Sequence, residues 1–138
     1  MNMTEKRFPA RLEELERVQS FVREAVEPWG CSGRLRRHLE IAVEEIFVNI
    51  ARYAYDGAQE GDALVRCGAE GEPCQAVIQF VDRGIPFDPL AREDADITLS
   101  AEERKIGGLG ILMVKKTMDG MEYSYENGKN VLTLTKLI

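Results

Sequence analysis

Val77-Ile78-Gln79-Phe80-Val81-Asp82-Arg83-Gly84-Ile85-Pro86-Phe87-Asp88-Pro89 reads as a strand that ends on an acid, turns on a glycine and departs between two prolines. At the strand exit, Asp82 can accept a hydrogen bond from an exocyclic amine, and Gly84 lets the backbone pass close to a flat ring. Asp-x-Gly alone is also an ordinary turn. The continuation Ile85-Pro86-Phe87-Asp88-Pro89 is far less common as a chance turn. Residues 83–106 then hold two prolines, several acids and little apolar periodicity. A stretch of that length inside a compact domain is usually a functional loop or lid.

Downstream, Gly107-Gly108-Leu109-Gly110 opens a helix over 109–118 that Asp119-Gly120 stops. The first amides of a helix have no internal partner and its dipole favours an anion, so phosphate is the natural occupant. Missing side chains let backbone approach the phosphate oxygens. No Gly-Lys-Ser/Thr follows and no strand leads straight in, which excludes a Walker A loop and a dinucleotide fingerprint. A helix packed closely through its glycines fits the same residues. Arg104 and Lys105, just upstream, are placed to meet a terminal phosphate, although loop charges of this kind are commonly only solvated.

Upstream, Ser32 is the N-cap of a helix carried to Tyr55 and ended by Asp56-Gly57. Leu39, Val43, Ile46, Ile50 and Tyr53 fall within one narrow arc at helical spacing and face the sheet. Glu45, Asn49, Arg52 and Asp56 form the neighbouring stripe, at the border between core and solvent, where a ligand could reach them. Glu45 lies four residues from Asn49 and nearly eclipses it, whereas Glu44 points away. A plain solvated flank has the same spacing. His38, one turn earlier on that stripe, reads as an ordinary surface or core histidine.

The remaining chain completes a fold. Phe8-Pro9 closes a short strand, and Pro9 stands where a first helix of about 17 residues begins, marked by Leu12, Leu15, Val18, Phe21, Val22 and Val26. Pro28-Trp29-Gly30 breaks it. Runs 62–67 and 75–81 make an antiparallel hairpin. Runs 121–125 and 131–137 flank Asn127-Gly128, a turn whose central residues tolerate positive φ. The order β-α-α-β-β-lid-α-β-β predicts an α+β two-layer sandwich, a mixed but mostly antiparallel sheet covered on one face by about three helices.

At 138 residues the chain fits one domain, 1–138. A formal charge of -6 with dispersed acids lacks the basic surface that nucleic acid requires. No apolar run has the length of a membrane span and no signal region follows Met1, so a cytoplasmic protein with no membrane partner is expected. Cys31, Cys67 and Cys74 are odd in number with no C-x-x-C spacing, the pattern of reduced thiols.

Three segments together resemble a known family. Glu45-Ile46-Phe47-Val48-Asn49, Asp82-Arg83-Gly84 with Pro86-Phe87-Asp88-Pro89, and Gly107-Gly108-Leu109-Gly110-Ile111 are similar to the N box and the two glycine boxes of the Bergerat-fold, or GHKL, ATPases. That superfamily includes gyrase, histidine kinases and MutL. Within it the chain most resembles the small bacterial anti-sigma-factor serine/threonine kinases. The resemblance implies ATP and Mg2+ as cofactors, with Glu45 as general base, Asn49 as the magnesium ligand and Asp82 as the adenine contact. It implies Gly84 beneath the base and Gly107, Gly108, Leu109 and Gly110 as the phosphate loop. Asn130 stands where many relatives carry an adenine-binding threonine, and Tyr53 where a histidine is common.

The implied activity is phosphorylation of a serine or threonine on an anti-anti-sigma-type protein, with sequestration of a sigma factor by what would be a homodimer. An ATP-gated binding switch without transfer is the alternative, set back by Glu45, which a switch does not need. A histidine-kinase fragment would carry a dimerisation helix with a phospho-acceptor histidine, but the lone His38 lies in the ATP-site helix. A gyrase-like hydrolase would carry a transducer domain.

Overall fold

The computed structural model describes residues 3–55, 60–89 and 109–138. Side chains alternate across a strand, so one face of β3 (Gln75–Asp82) carries Ala76, Ile78, Phe80 and Asp82 together, and all four are buried. The apolar line of the core therefore terminates in a carboxylate. β2 (Asp62–Glu70) pairs with β3 on one side and β1 (Thr4–Pro9) closes that edge, while β5 (Lys129–Leu137) and β4 (Gly120–Glu126) extend the other. Every pairing in the order β1-β2-β3-β5-β4 is antiparallel. The mixed sheet expected from the sequence thus has no parallel pair among the described strands.

Three α-helices cover one face. α1 (Leu15–Val26) buries Val18, Val22 and Val26, and α2 (Gly33–Asn49) buries Leu39, Val43, Ile46 and Phe47 among others. α3 (Leu109–Thr117) adds Ile111 and Val114. Phe8, Phe47 and Phe80 are the largest of the fully buried side chains. Each such burial contributes about 1.5–3 kcal/mol. The Ser32 side chain accepts a hydrogen bond from the Leu35 amide at 3.1 Å, the cap that starts α2. Asn127 and Gly128 take φ of 53° and 76°, which turns β4 into β5 as the sequence predicts.

The first helix differs from expectation. Pro9 ends β1 opposite Asp62 instead of starting a helix. β1 is an edge strand, where a missing amide need break no ladder bond. A short 3-10 turn (Leu12–Glu14) then leads into α1, and another (Glu27–Trp29) follows it. Gly30, at φ 66°, closes that second turn. α2 passes at Asn49 into a wide π turn, Ile50–Ala54, instead of continuing regularly to Tyr55. Asp56 and Gly57 lie outside the described residues, as does the lid beyond residue 89. Cys31 and Cys67 are buried, Cys74 is exposed, and all three are free. Burial pushes the Cys67 thiol up to about 12, which makes it an inert core group. No described helix is long and apolar enough to cross a membrane.

Candidate functional site

Asp82 sits across the β3–β5 ladder from Asn130, and these are the two buried polar residues among the described ones. Asp82 Oδ1 accepts from the Gly84 amide at 2.8 Å and from Asn130 Nδ2 at 2.9 Å. Burial pushes the carboxyl above its ordinary value, and these two hydrogen bonds pull it back. They favour the ionised form because a carboxylate is the better acceptor.

The turn after Asp82 is held against the end of α2. A Cβ on Gly84 would lie 2.1 Å from the Ala54 carbonyl oxygen, so only glycine lets the loop reach that carbonyl, which accepts from the Ile85 amide at 2.8 Å. Whatever lies on its other side, glycine is demanded by helix backbone. Tyr55 fixes the same turn: its hydroxyl donates to the Asp62 carbonyl at 2.5 Å and accepts from the Arg83 amide at 2.9 Å. The π turn aims both Ala54 and Tyr55 at the loop, and wide turns of this kind recur at functional positions.

Asn49 and Asp82 line one cavity with Asn130, over a floor that includes Ile46, Phe80 and Leu132 and with Ile85, Phe87 and Pro89 at the rim. Its volume is about 40 Å³, room for a few waters, so a flat ring enters only as the rim side chains move outward. Asn49 Nδ2 is buried with no hydrogen-bond partner among the described residues. An orphaned buried amide donor costs about 1–3 kcal/mol, and its usual explanation is a ligand or water that meets it.

One turn before Asn49, Glu45 is half-buried while Glu44 is exposed. A Cβ on Gly110 would lie 2.0 Å from the Glu45 carboxyl carbon. The first turn of α3 therefore accepts Glu45 because position 110 has no side chain. Burial, then the neighbouring Glu44, pushes the Glu45 carboxyl up, with Arg52 opposing. Glu45 meets Gly110 while Asn49, Asp82 and Asn130 share a cavity, so residues from α2, β3, α3 and β5 converge. Arg104, Lys105, Gly107 and Gly108 lie outside the described residues, and Leu109 begins α3.

His38 does not line this cavity; it lies beside Lys136 in a separate hollow at the start of α2. Desolvation, then Lys136, Arg34 and Arg37, pushes its imidazole down, which favours the neutral ring. Sequence reading missed Tyr55 and Tyr123, whose hydroxyl donates to Asn130 Oδ1. A signal for Tyr123 existed: the Asn127-Gly128 turn sets Tyr125 opposite Asn130, which puts Tyr123 on the diagonal.

The histidine kinase-like ATPase domain family matches residues 8–136. The serine-protein kinase RsbW of Listeria monocytogenes is 30% identical over 113 residues, 79% of this chain and 70% of that protein. The anti-sigma F factor of Clostridium beijerinckii is 26% identical over 98 residues, 71% of this chain and 67% of that one. Among solved structures, the RsbU and RsbW domains of Rv1364c from Mycobacterium tuberculosis superpose with a TM-score of 0.69 at 15% identity. That match covers 99% of this chain and 32% of the other, and it shows a shared fold.

Proposed function

Because this chain belongs to the histidine kinase-like ATPase family, we propose that it is an anti-sigma regulator of the serine-kinase type. It binds Mg-ATP, transfers the γ-phosphoryl group to a serine or threonine of an anti-anti-sigma-type partner, and sequesters a sigma factor. The likeness to RsbW and to an anti-sigma F factor over most of the chain supports the class. The observation that carries the chemistry is the cavity shared by Asn49 and Asp82, with Glu45 one helical turn before Asn49 and packed against Gly110. A cytoplasmic homodimer is the expected working form.

The residues fit the implied groups. Asn49 would hold a hard cation through its carboxamide oxygen, an oxygen donor of the kind such ions prefer. When bound, Mg2+ neutralises charge developing on the transferring phosphoryl group. Asp82 accepts from the exocyclic amine of adenine, and free amides at the start of α3 meet phosphate oxygens. The partner's hydroxyl oxygen bonds to the γ-phosphorus as the β–γ bridging bond breaks, and ADP departs. Glu45 takes the proton. Its raised carboxyl makes it a stronger base than an exposed glutamate, which suits it to that step.

The test is incubation with radiolabelled ATP and candidate partners from the same cell, alongside Asn49→Ala and Glu45→Gln. The proposal expects label on a serine or threonine of one partner, and loss of magnesium-dependent nucleotide affinity in Asn49→Ala. Unchanged affinity in Asn49→Ala counts against the site. Nucleotide-dependent partner binding with no labelled product, alike in wild type and Glu45→Gln, identifies an ATP-gated switch instead.

A further inference from the structure

We infer that Asn130 is a positioning residue for base selectivity, holding the Asp82 carboxylate so that one oxygen alone is offered to the bound base. This rests on the reading of the cavity as an ATP site, and it assigns Asn130 a task other than touching the nucleotide.

The hydrogen-bonding capacity of Asn130 is already filled. Its Nδ2 donates to Asp82 Oδ1 at 2.9 Å and to the Ile85 carbonyl at 2.8 Å, with the Gly84 carbonyl at the limit of reach, 3.5 Å. Its Oδ1 accepts from the Phe87 amide at 3.1 Å and from the Tyr123 hydroxyl. A carboxamide has two donors and two acceptor lone pairs, and this accounts for all four. The orientation is fixed too: a carboxylate and a carbonyl face the nitrogen while a backbone amide faces the oxygen, so a flipped amide would set like against like. Nothing remains for a base.

The consequence falls on Asp82. Both hydrogen bonds it receives end on Oδ1, leaving Oδ2 with no donor among the described residues in a side chain that lines the cavity. An ionised carboxylate oxygen only accepts. It pairs with the exocyclic amine of adenine and repels the carbonyl oxygen that guanine presents at the same position. That mismatch corresponds to a factor of about ten to a hundred in affinity. Selectivity of this kind requires Asp82 to stay both oriented and ionised. Asn130 serves the first by its bond across the ladder and the second by donating to the charged form. Tyr55 from the turn after α2, Tyr123 from β4, Arg83 and Asp88 are the other titratable or charged groups around it.

Competition of ATP and GTP against a fluorescent ATP analogue, from about pH 5 to pH 8, tests this on wild type, Asn130→Ala, Asn130→Asp and Asn130→Thr. Wild type is expected to prefer ATP by about tenfold or more. Asn130→Asp sets a second carboxyl beside Asp82 and should bring the ratio towards one, and Asn130→Ala should do so less completely. In both, removal of the donor lifts the Asp82 pKa, so selectivity fails at a higher pH than in wild type. Asn130→Thr returns a hydroxyl donor to the position and should recover part of the ratio that Asn130→Ala loses, whereas a merely structural role would leave the two variants alike. Equal losses of ATP and GTP affinity in folded Asn130 variants, with an unmoved pH profile, overturn the inference, as does an Asn130→Thr variant no more selective than Asn130→Ala. Failure of wild type to bind ATP overturns the site itself.

Discussion

The two ends of the cavity are finished to different degrees. At the Asp82 end, carboxylate Oδ1, the Asn130 amide, the Gly84, Ile85 and Phe87 amides and the Tyr123 hydroxyl all find partners within the protein, and Asp82 Oδ2 is left to meet a base. At the Asn49 end a buried amide nitrogen has none among the described residues, and half-buried Glu45, one turn earlier, carries a carboxyl shifted up by desolvation. The contrast teaches how such a site divides its tasks. A recognition surface gains from being rigid before the ligand arrives, since ordering costs then fall outside binding. A reacting end needs polar groups whose partners come only with the ligand.

Removing the proton acceptor should give the largest effect. Glu45→Gln is expected to lower phosphoryl transfer by about 10²–10⁴-fold with little change in ATP affinity, measured by single-turnover labelling of the partner. Transfer at the wild-type rate would erase the distinction between the two ends. Next, Asn130→Ala should destabilise the protein by about 2–4 kcal/mol, because it orphans several buried groups at once, read from urea unfolding without nucleotide. A loss within error of zero would show that the finished end is not stabilising.

Gly110→Ala drives a methyl into the Glu45 carboxyl and should cost about 1–3 kcal/mol of stability, with a fall in transfer but not in base selectivity. Asn49→Leu is expected to act in the opposite sense to Asn130→Ala: replacing an unpaired amide with an apolar group of similar volume should be neutral or stabilising by about 1 kcal/mol, while magnesium-dependent affinity is lost. The same unfolding series decides it.

The smallest effect concerns pH. Both Glu45 and Asp82 have carboxyls raised in the folded state, so folding binds protons more tightly than the unfolded chain does. Stability without nucleotide should therefore decline as pH rises from the ordinary carboxylate range through the raised values. Glu45→Gln should flatten part of that slope in thermal melts, and an unchanged slope would remove Glu45 as a contributor.

What was legible in the chain was local. Ser32 and Asn127-Gly128 each specify a cap or a turn within a few residues, and the periodic arc of Leu39, Val43, Ile46 and Ile50 needs only helical winding to become a buried face. Glu45 and Asn49 share a stripe for the same reason. Pro9 misled because the same fixed φ suits the first turn of a helix and the last residue of an edge strand, and only the pairing of β1 with β2 decides between them. The Asn130 network joins residues 48 apart in sequence, so it depends on a β3–β5 register that no short motif encodes. The sequence offers a reason for glycine at 84 in the approach of a flat ring, whereas its described neighbour is the Ala54 carbonyl, which becomes visible only once the turn at 50–54 is known to be wide.

That wide turn has a consequence for how the chain tolerates length changes. A π turn accommodates one more residue than regular winding would, so a single-codon deletion within 50–54 would let α2 run on as an ordinary spiral. Tyr55 would then keep its place against its two backbone partners, whereas a deletion earlier, in the regular winding of α2, would rotate every later residue by about 100° and leave the Asp82 turn without its carbonyl anchor. Point substitutions on the solvent side of the same segment leave the spacing intact. The wide turn is therefore the stretch of this helix where the loss of one residue is absorbed locally, while the regular turns before it hold their count strictly.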